Sequence, residues 1–202
     1  MKLPRAAVAL LCTLLIALVL VACGTTQPAG DVNAGFQAST HTNQKYGYSI
    51  EYPSGFARIE VPPDGEDPKA PLSDVFFADP KGTQIDDKAV DTLEVAVYSM
   101  SAAPTAADFK QHKKDFEAML AVLIGTLPSY QVAEPLAWTT VAGRPALTET
   151  YTYQISGKDV AASAELVFRD AQAYLVRAQA ARVVWQTTGR ELVSCMAAFV
   201  FL

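Results

Sequence analysis

From Lys45 onward the chain alternates apolar and polar positions with period two, the pattern of strands with one buried face. Tyr46, Tyr48, Ile50 and Tyr52 recur on one side, and Pro53-Ser54-Gly55 ends the strand in a turn. Residues 56–61 then read as its return partner. Residues 61–68, with three prolines, form a loop, and 74–78 and 93–100 read as two further strands separated in part by the turn Asp79-Pro80-Lys81-Gly82. A helix follows. Thr105 can cap it, Asp108 suits the positive end of its dipole, and Gly125 is a natural stop. Phe109, Phe116, Met119, Leu120 and Leu123 fall on one face. After Pro128 the chain returns to strands. Gly143-Arg144-Pro145 marks a turn. Leu147, Glu149, Tyr151, Tyr153 and Ile155 then alternate with Thr148, Thr150, Thr152 and Gln154. Ser156-Gly157 and Arg169-Asp170 read as hairpin turns leading into strands at 160–168 and 174–180. A second helix over 184–195, with Trp185, Thr188, Leu192 and Cys195 inward, precedes a short last strand. Hairpin-linked strands with only two helices predict the α+β class: a mainly antiparallel sheet covered by helices.

The first 44 residues follow a different pattern. Lys2 and Arg5 precede an apolar run over residues 6–22, broken only by Thr13 and shorter than a comfortable bilayer span. It ends in Leu20-Val21-Ala22-Cys23, which resembles the lipobox of bacterial lipoproteins. In that family the thiol receives a diacylglycerol group by thioether linkage and the peptide is cut just before the Cys. The resemblance implies a signal peptide at 1–22 and a lipidated N-terminus at Cys23. Acyl chains at about 0.8 kcal/mol per buried methylene hold stably when there are two of them. The expected location is extracytoplasmic, anchored by lipid to the cell membrane, or to an outer membrane where the source has one. Residues 23–44, rich in Thr, Gly, Ala, Gln, Ser and Asn, read as a flexible tether, with His41 solvated near its end. The globular domain is expected over 45–202.

Composition narrows the function. Residues 1–22 hold two basic side chains and no acid, so their removal takes the formal net charge from −5 to −7. So acidic a chain, with no clustered Lys or Arg, is not expected to bind nucleic acid. Of the three cysteines, Cys12 lies in the signal and Cys23 takes lipid, leaving Cys195 without a partner. Its apolar neighbours Leu192, Val193, Met196 and Phe199 favour a buried, inert thiol.

The candidate chemistry is sparse. The chain has two His, and His112 sits at the edge of the first helix's apolar face, which gives no zinc spacing. Ser54 and Ser156 lack a nucleophile-elbow context. The acids of Asp64-Gly65-Glu66-Asp67 and of Asp86-Asp87 with Asp91 lack EF-hand spacing and read as solvated loop charge. Glu149 stands out because it shares a strand face with Leu147, Tyr151 and Tyr153. If that face is inward, Glu149 needs a partner such as Arg177 or a tyrosine hydroxyl. A structural hydrogen-bonded pair is the expected reading and a ligand-pocket acid the alternative.

Several short strings resemble the PsbP/Mog1-like family. Tyr48-Ser49-Ile50-Glu51-Tyr52-Pro53-Ser54-Gly55-Phe56 is similar to its aromatic-rich opening strand and Tyr-Pro turn, and Gly143-Arg144-Pro145-Ala146 to its central Gly-x-Pro-Ala turn. The closing helix and strand match as well, with Ala198-Phe199 where the family usually has Ser-Phe. The resemblance spans about 45–202 and implies an α/β/α sandwich around a central antiparallel sheet. It also implies a non-enzymatic module with no cofactor and no metal, working on an unidentified protein partner. A carrier or sensor of a small apolar ligand held between sheet and helix is the alternative.

Overall fold

A computed structural model describes residues 37–62, 70–125 and 127–202. Cys23, most of the stretch read as a tether and the acids at 64–67 lie outside the described residues.

The largest element is a seven-stranded sheet in the order β3-β4-β7-β11-β10-β9-β8, all of its pairings antiparallel. Its strands are β3 (Ala57–Val61), β4 (Ser73–Ala78), β7 (Thr92–Ser99), β8 (Gln131–Val141), β9 (Arg144–Ile155), β10 (Lys158–Arg169) and β11 (Gln172–Ala181). A three-stranded sheet is ordered β1-β2-β12, from β1 (Ala38–Asn43), β2 (Tyr48–Pro53) and β12 (Val200–Phe201). The short pair β5 (Gln84–Ile85) and β6 (Lys88–Ala89) interrupts the path from β4 to β7. The long helix α1 is Ala106–Ile124 and the closing helix α2 is Arg190–Ala197. The class is α+β, rich in sheet.

Both faces of the large sheet are buried. On one face Leu147, Tyr151, Leu166, Phe168 and Leu175 pack with Leu120 and Ile124 of α1. On the other, Val75, Phe77, Val95, Val97 and Val176 pack with Leu192, Cys195 and Met196 of α2 and with Tyr48 and Ile50 of β2. The second face therefore has a mixed cover of helix and small sheet. Central strands covered on both sides cannot show a polar face, so β7 and β11 read as near-continuous apolar runs.

The local signals act as the sequence implies. Thr105 and Asp108 close a capping box at the start of α1: the Thr105 hydroxyl accepts from the Asp108 N–H at 3.2 Å, and the Asp108 carboxylate accepts from the Thr105 N–H at 2.8 Å. Ala142-Gly143 and Ser156-Gly157 have positive φ at both positions, the geometry that tight two-residue hairpins need. The expected second helix begins instead as a 3-10 turn (Arg182–Val184) and a π-helical turn (Trp185–Gly189). There the Trp185 ring lies over Gly189, where an added Cβ would come within 2.3 Å of it.

Four expectations are corrected. The domain starts before Lys45: β1 lies within the stretch read as tether and pairs with β2 along its whole length, from Ala38↔Pro53 to Asn43↔Tyr48. Its sequence, ASTHTN, has no apolar alternation to announce a strand. His41 is accordingly not solvated but buried, with ring centroids 5.9 Å from Tyr48 and 5.5 Å from Phe77. Burial, then the Arg58 charge, holds its pKa below the ordinary value. The strands on either side of Pro53-Ser54-Gly55 are not partners: β2 joins the small sheet and β3 pairs with β4. Finally, Asp91 is not solvated loop charge. It is buried, its carboxylate accepting the Thr83 N–H at 2.8 Å and the Ala181 N–H at 3.0 Å. The loop before β5 is thus tied to the end of β11, and Gly82 fits beneath because a Cβ there would lie 2.7 Å from the Asp91 carboxylate.

Asp91→Ala would leave two backbone donors without their charged acceptor. The expected loss is about 2–3 kcal/mol of unfolding free energy. Urea denaturation checks it, with faster amide exchange at Thr83 and Ala181 as the local signature. Asp91→Asn, which keeps one acceptor oxygen, should fall between.

Candidate functional site

Period-two alternation places Glu94 on β7, Arg177 on β11, and Glu149, Tyr151 and Tyr153 on β9 on the same face, the one toward α1. The sequence paired Glu149 with either Arg177 or a tyrosine hydroxyl. Glu149 is buried and accepts a hydrogen bond from the Tyr130 hydroxyl at 2.5 Å. Burial and this carboxylate push the Tyr130 phenol above its ordinary pKa.

Arg177 belongs to Glu94, which stands directly opposite it across the β7–β11 pairing, with Nη2 2.5 Å from Oε2. Its Nη1 also reaches the Ile124 carbonyl at the end of α1, at 3.5 Å. Burial raises the Glu94 carboxyl above its ordinary pKa, and the Arg177 guanidinium moderates the shift. Burial likewise works against the Arg177 charge, but Glu94, with Tyr151 and Tyr153, more than offsets it and raises the arginine's pKa. Beside them the Tyr153 hydroxyl donates to Gln179 Oε1 at 2.7 Å, and Gln179 Nε2 donates to the Val90 carbonyl at 3.2 Å. Sequence reasoning missed Glu94. The only signal was an acid in the middle of the apolar run Leu93-Glu94-Val95-Ala96-Val97.

Asp74 on β4 is the second acid facing this cluster. Burial, then the Glu94 charge, raises its pKa to about 7, and Arg177 moderates the shift. One of its carboxylate oxygens is buried without a partner. The residue also lines a surface cleft of about 460 Å³ together with Asn43, Lys45, Tyr46, Leu72 and Ser73. A second cleft of about 430 Å³, with Gln131, Gln154, Asp159 and Arg182 in its wall, lies at the far end of β9. Glu149 lines neither cleft.

The remaining candidates are dispersed. His112 is exposed on α1, where the helix departs from regular geometry, 3.4 Å from Asp115. Asp86 and Asp87 occupy the tip of the β5–β6 hairpin, and Asp86 accepts a hydrogen bond from Ser156. Cys195 is buried and free. Burial, followed by the charges of Glu51 and Glu191, pushes its thiol up to about 12. Among the described residues no group of three His, Cys, Asp or Glu could hold a metal ion, and no helix is long and apolar enough to cross a membrane. Chemically, the network can hold strands in place, and at Asp74 it can exchange a proton or accept a hydrogen bond from the cleft.

The arrangement is that of an antiparallel α+β domain whose sheet carries a long helix on one face. Among solved structures it is similar to cyanobacterial PsbP (CyanoP) from Synechocystis sp. PCC 6803, with a TM-score of 0.58 at 14% identity over 89% of this chain and 99% of that one. It is also similar to a protein from Bacteroides thetaiotaomicron VPI-5482, with a TM-score of 0.50 at 12% identity over 82% of this chain and 49% of that one. LpqN, involved in cell envelope biogenesis of Mycobacterium tuberculosis, aligns with a TM-score of 0.48 at 11% identity over 83% of this chain and 92% of that one. No protein-family model matches the chain, and no curated protein matches it in sequence. The fold is PsbP-like.

The Asp74 carboxyl gives a pH test. Its folded pKa of about 7 lies above the ordinary 3.8, so between those values the folded state holds a proton that the unfolded state has lost. Stability therefore falls as pH rises through that window. Asp74→Asn removes the effect. It should match the parent at pH 3.5 and exceed it at pH 8 by about 1–2 kcal/mol, allowing for the partial exposure of the carboxyl. Urea midpoints at the two pH values check this.

Proposed function

We propose that this chain is a lipid-anchored extracytoplasmic binding or assembly module that acts on a protein partner and performs no catalysis. The PsbP-like fold, read with its layers in α/β/α order, supports this in part, because a sheet packed on both faces leaves its covering layers and its edges as the surfaces a partner can reach. The observation that carries the reading is where Glu149 goes. A carrier of a small apolar ligand would present that acid in a pocket between sheet and helix. Instead Glu149 is spent on Tyr130, and the surrounding tyrosines and α1 side chains pack against one another. Apolar side chains are exposed on the surface instead, among them Val122, Tyr130 and Val132.

The anchor rests on Leu20-Val21-Ala22-Cys23. Its chemistry requires sulfur at that position and small residues before it, and the acidic mature chain would then be held beside the membrane by residues 24–37. Cys23→Ala should abolish labelling by a fatty-acid analogue and either release the domain or leave an unprocessed precursor. Unchanged labelling would refute the anchor. Purification of the full chain from detergent-solubilised membranes should recover the same protein partner in replicate preparations. A bound small molecule with no reproducible protein would overturn the partner reading.

A further inference from the structure

The two edges of the seven-stranded sheet are built differently. At one end β8 is broken by register shifts between Val132 and Glu134 and between Glu134 and Ala137, with Pro135 inside the second. Irregular pairing and a missing N–H are common ways of keeping an edge from recruiting another strand. At the other end β3 has neither device. Its five residues pair with β4 in unbroken register, from Ala57↔Ala78 to Val61↔Asp74, it contains no proline, and every residue in it is exposed. Among the described residues nothing pairs with its outer backbone groups, which form a regular row.

The sequence of that row, Ala57-Arg58-Ile59-Glu60-Val61, is matched to itself. Reversed and laid alongside itself about Ile59, it sets Arg58 opposite Glu60 twice, Ile59 opposite Ile59, and Ala57 opposite Val61 twice. Cross-strand partners share a face, so both ion pairs would lie on the α2 side, where Arg58 already sits 3.5 Å from His41. Ile59 and Val61 would lie on the other side with their copies, covering apolar surface that is now 49% and 42% exposed. Neighbouring registers fail. An axis through Arg58 or through Glu60 sets like charges opposite each other, and an axis between residues breaks the charge match. Within one chain Arg58 and Glu60 form only an exposed pair at 3.4 Å, worth little and easily exchanged for partners across an interface.

We propose that β3 is a self-association edge, on which a second copy of this chain pairs antiparallel about a two-fold axis through Ile59 to continue the sheet across both molecules. One short strand buries less than the roughly 1,200 Å² of a standard interface, so the dimer is weak and depends on concentration. The proposal is independent of the lipid anchor, and confinement of anchored chains to a surface would favour it.

Site-specific cross-linking in the full chain tests it at about 100 µM, a concentration suited to interfaces at the small end of the range. Ile59→Cys places a thiol on the axis, where paired strands bring Cβ atoms to about 5 Å, and should give a disulfide-linked dimer under mild oxidation. Ala57→Cys, four residues from its own copy in this register, should not. Adding Glu60→Arg to the Ile59→Cys chain sets arginine against arginine at two positions. It should weaken association roughly tenfold to a hundredfold, and Arg58→Glu with Glu60→Arg should restore it. Sedimentation of Glu60→Arg without introduced cysteines provides the same comparison with no thiol chemistry. Equal cross-linking by Ile59→Cys and Ala57→Cys, a yield indifferent to Glu60→Arg, or a parent chain that sediments as a monomer at this concentration would each overturn the proposal.

Discussion

The pairing of β7 with β11 joins the strands that lie farthest apart along the chain among the pairings of the large sheet. From β7 the chain leaves the sheet, forms α1, builds the meander β8-β9-β10-β11 by successive hairpins, and only then lays β11 against β7. Hairpin registers are fixed by their turns, but this one has to be fixed by side chains. Glu94 and Arg177 fix it. A slip of one residue would carry Glu94 to the opposite face, among Val75, Phe77 and Val176, and leave two charges buried without partners. Breaking a buried pair costs about 3–5 kcal/mol, whereas a well-packed apolar replacement is often neutral. The pair is therefore better understood as specifying register than as adding stability. The contact of Arg177 with the Ile124 carbonyl adds the end of α1 to the same specification.

Glu94 has a consequence in Asp74. With Glu149 held by Tyr130, Glu94 and Asp74 share one arginine and leave one acid in excess, and the exposed margin of the cluster is where an excess acid costs least. Asp74 occupies that margin, half-buried on β4 and open to the cleft beside Lys45 and Tyr46. Asp74, the acid raised to about 7, thus lies toward the surface while Glu94 holds the deeper position beside Arg177. Glu149 is resolved within the fold in a similar way. Its strand partner on the β10 side is Ala164, which offers no donor, so the Tyr130 hydroxyl reaches in from the segment before β8.

How much of this was legible in the sequence depended on how far the determining contact lay along the chain. The Thr105 cap, the Ser156-Gly157 turn and the alternation of β9 are set within a few residues, and each was readable. The destination of β2 was not. Pro53-Ser54-Gly55 resembles a hairpin turn, yet the strands it joins pass into different sheets, and its Ser54 N–H bonds to the Gln37 carbonyl at 2.7 Å. β1 was missed because its six residues bury only His41, so hydrophobic periodicity was absent where pairing was complete. Asp91 looked like loop charge because its two backbone donors, at Thr83 and Ala181, come from positions 8 and 90 residues away. Within the candidate site, Glu149 was identifiable as an inward acid from its neighbours. Arg177 could be assigned to Glu94 only once the non-local register of β7 and β11 was known.

The same distinction bears on how the ends of the domain are held. β1 and β12 flank β2 in the small sheet, so the first and last described strands are secured by one element. That sheet is joined to the large one by aromatic contacts. Tyr48 meets Tyr174 edge-on with ring centroids 6.1 Å apart, Tyr52 stacks on Phe77 at 4.2 Å, and Tyr174 meets Phe201 edge-on at 5.0 Å while its hydroxyl donates to the Tyr46 carbonyl at 2.9 Å. Aromatic pairs in such geometries contribute about 0.5–1.5 kcal/mol each beyond the area they bury. With Cys195 free and no disulfide among the described residues, these contacts take the place of a covalent staple. Under the proposed lipid anchor, a load from the N-terminal side would meet the six paired residues of β1 before the rest of the domain, and β1 is tied to β2 rather than to the Glu94–Arg177 pairing.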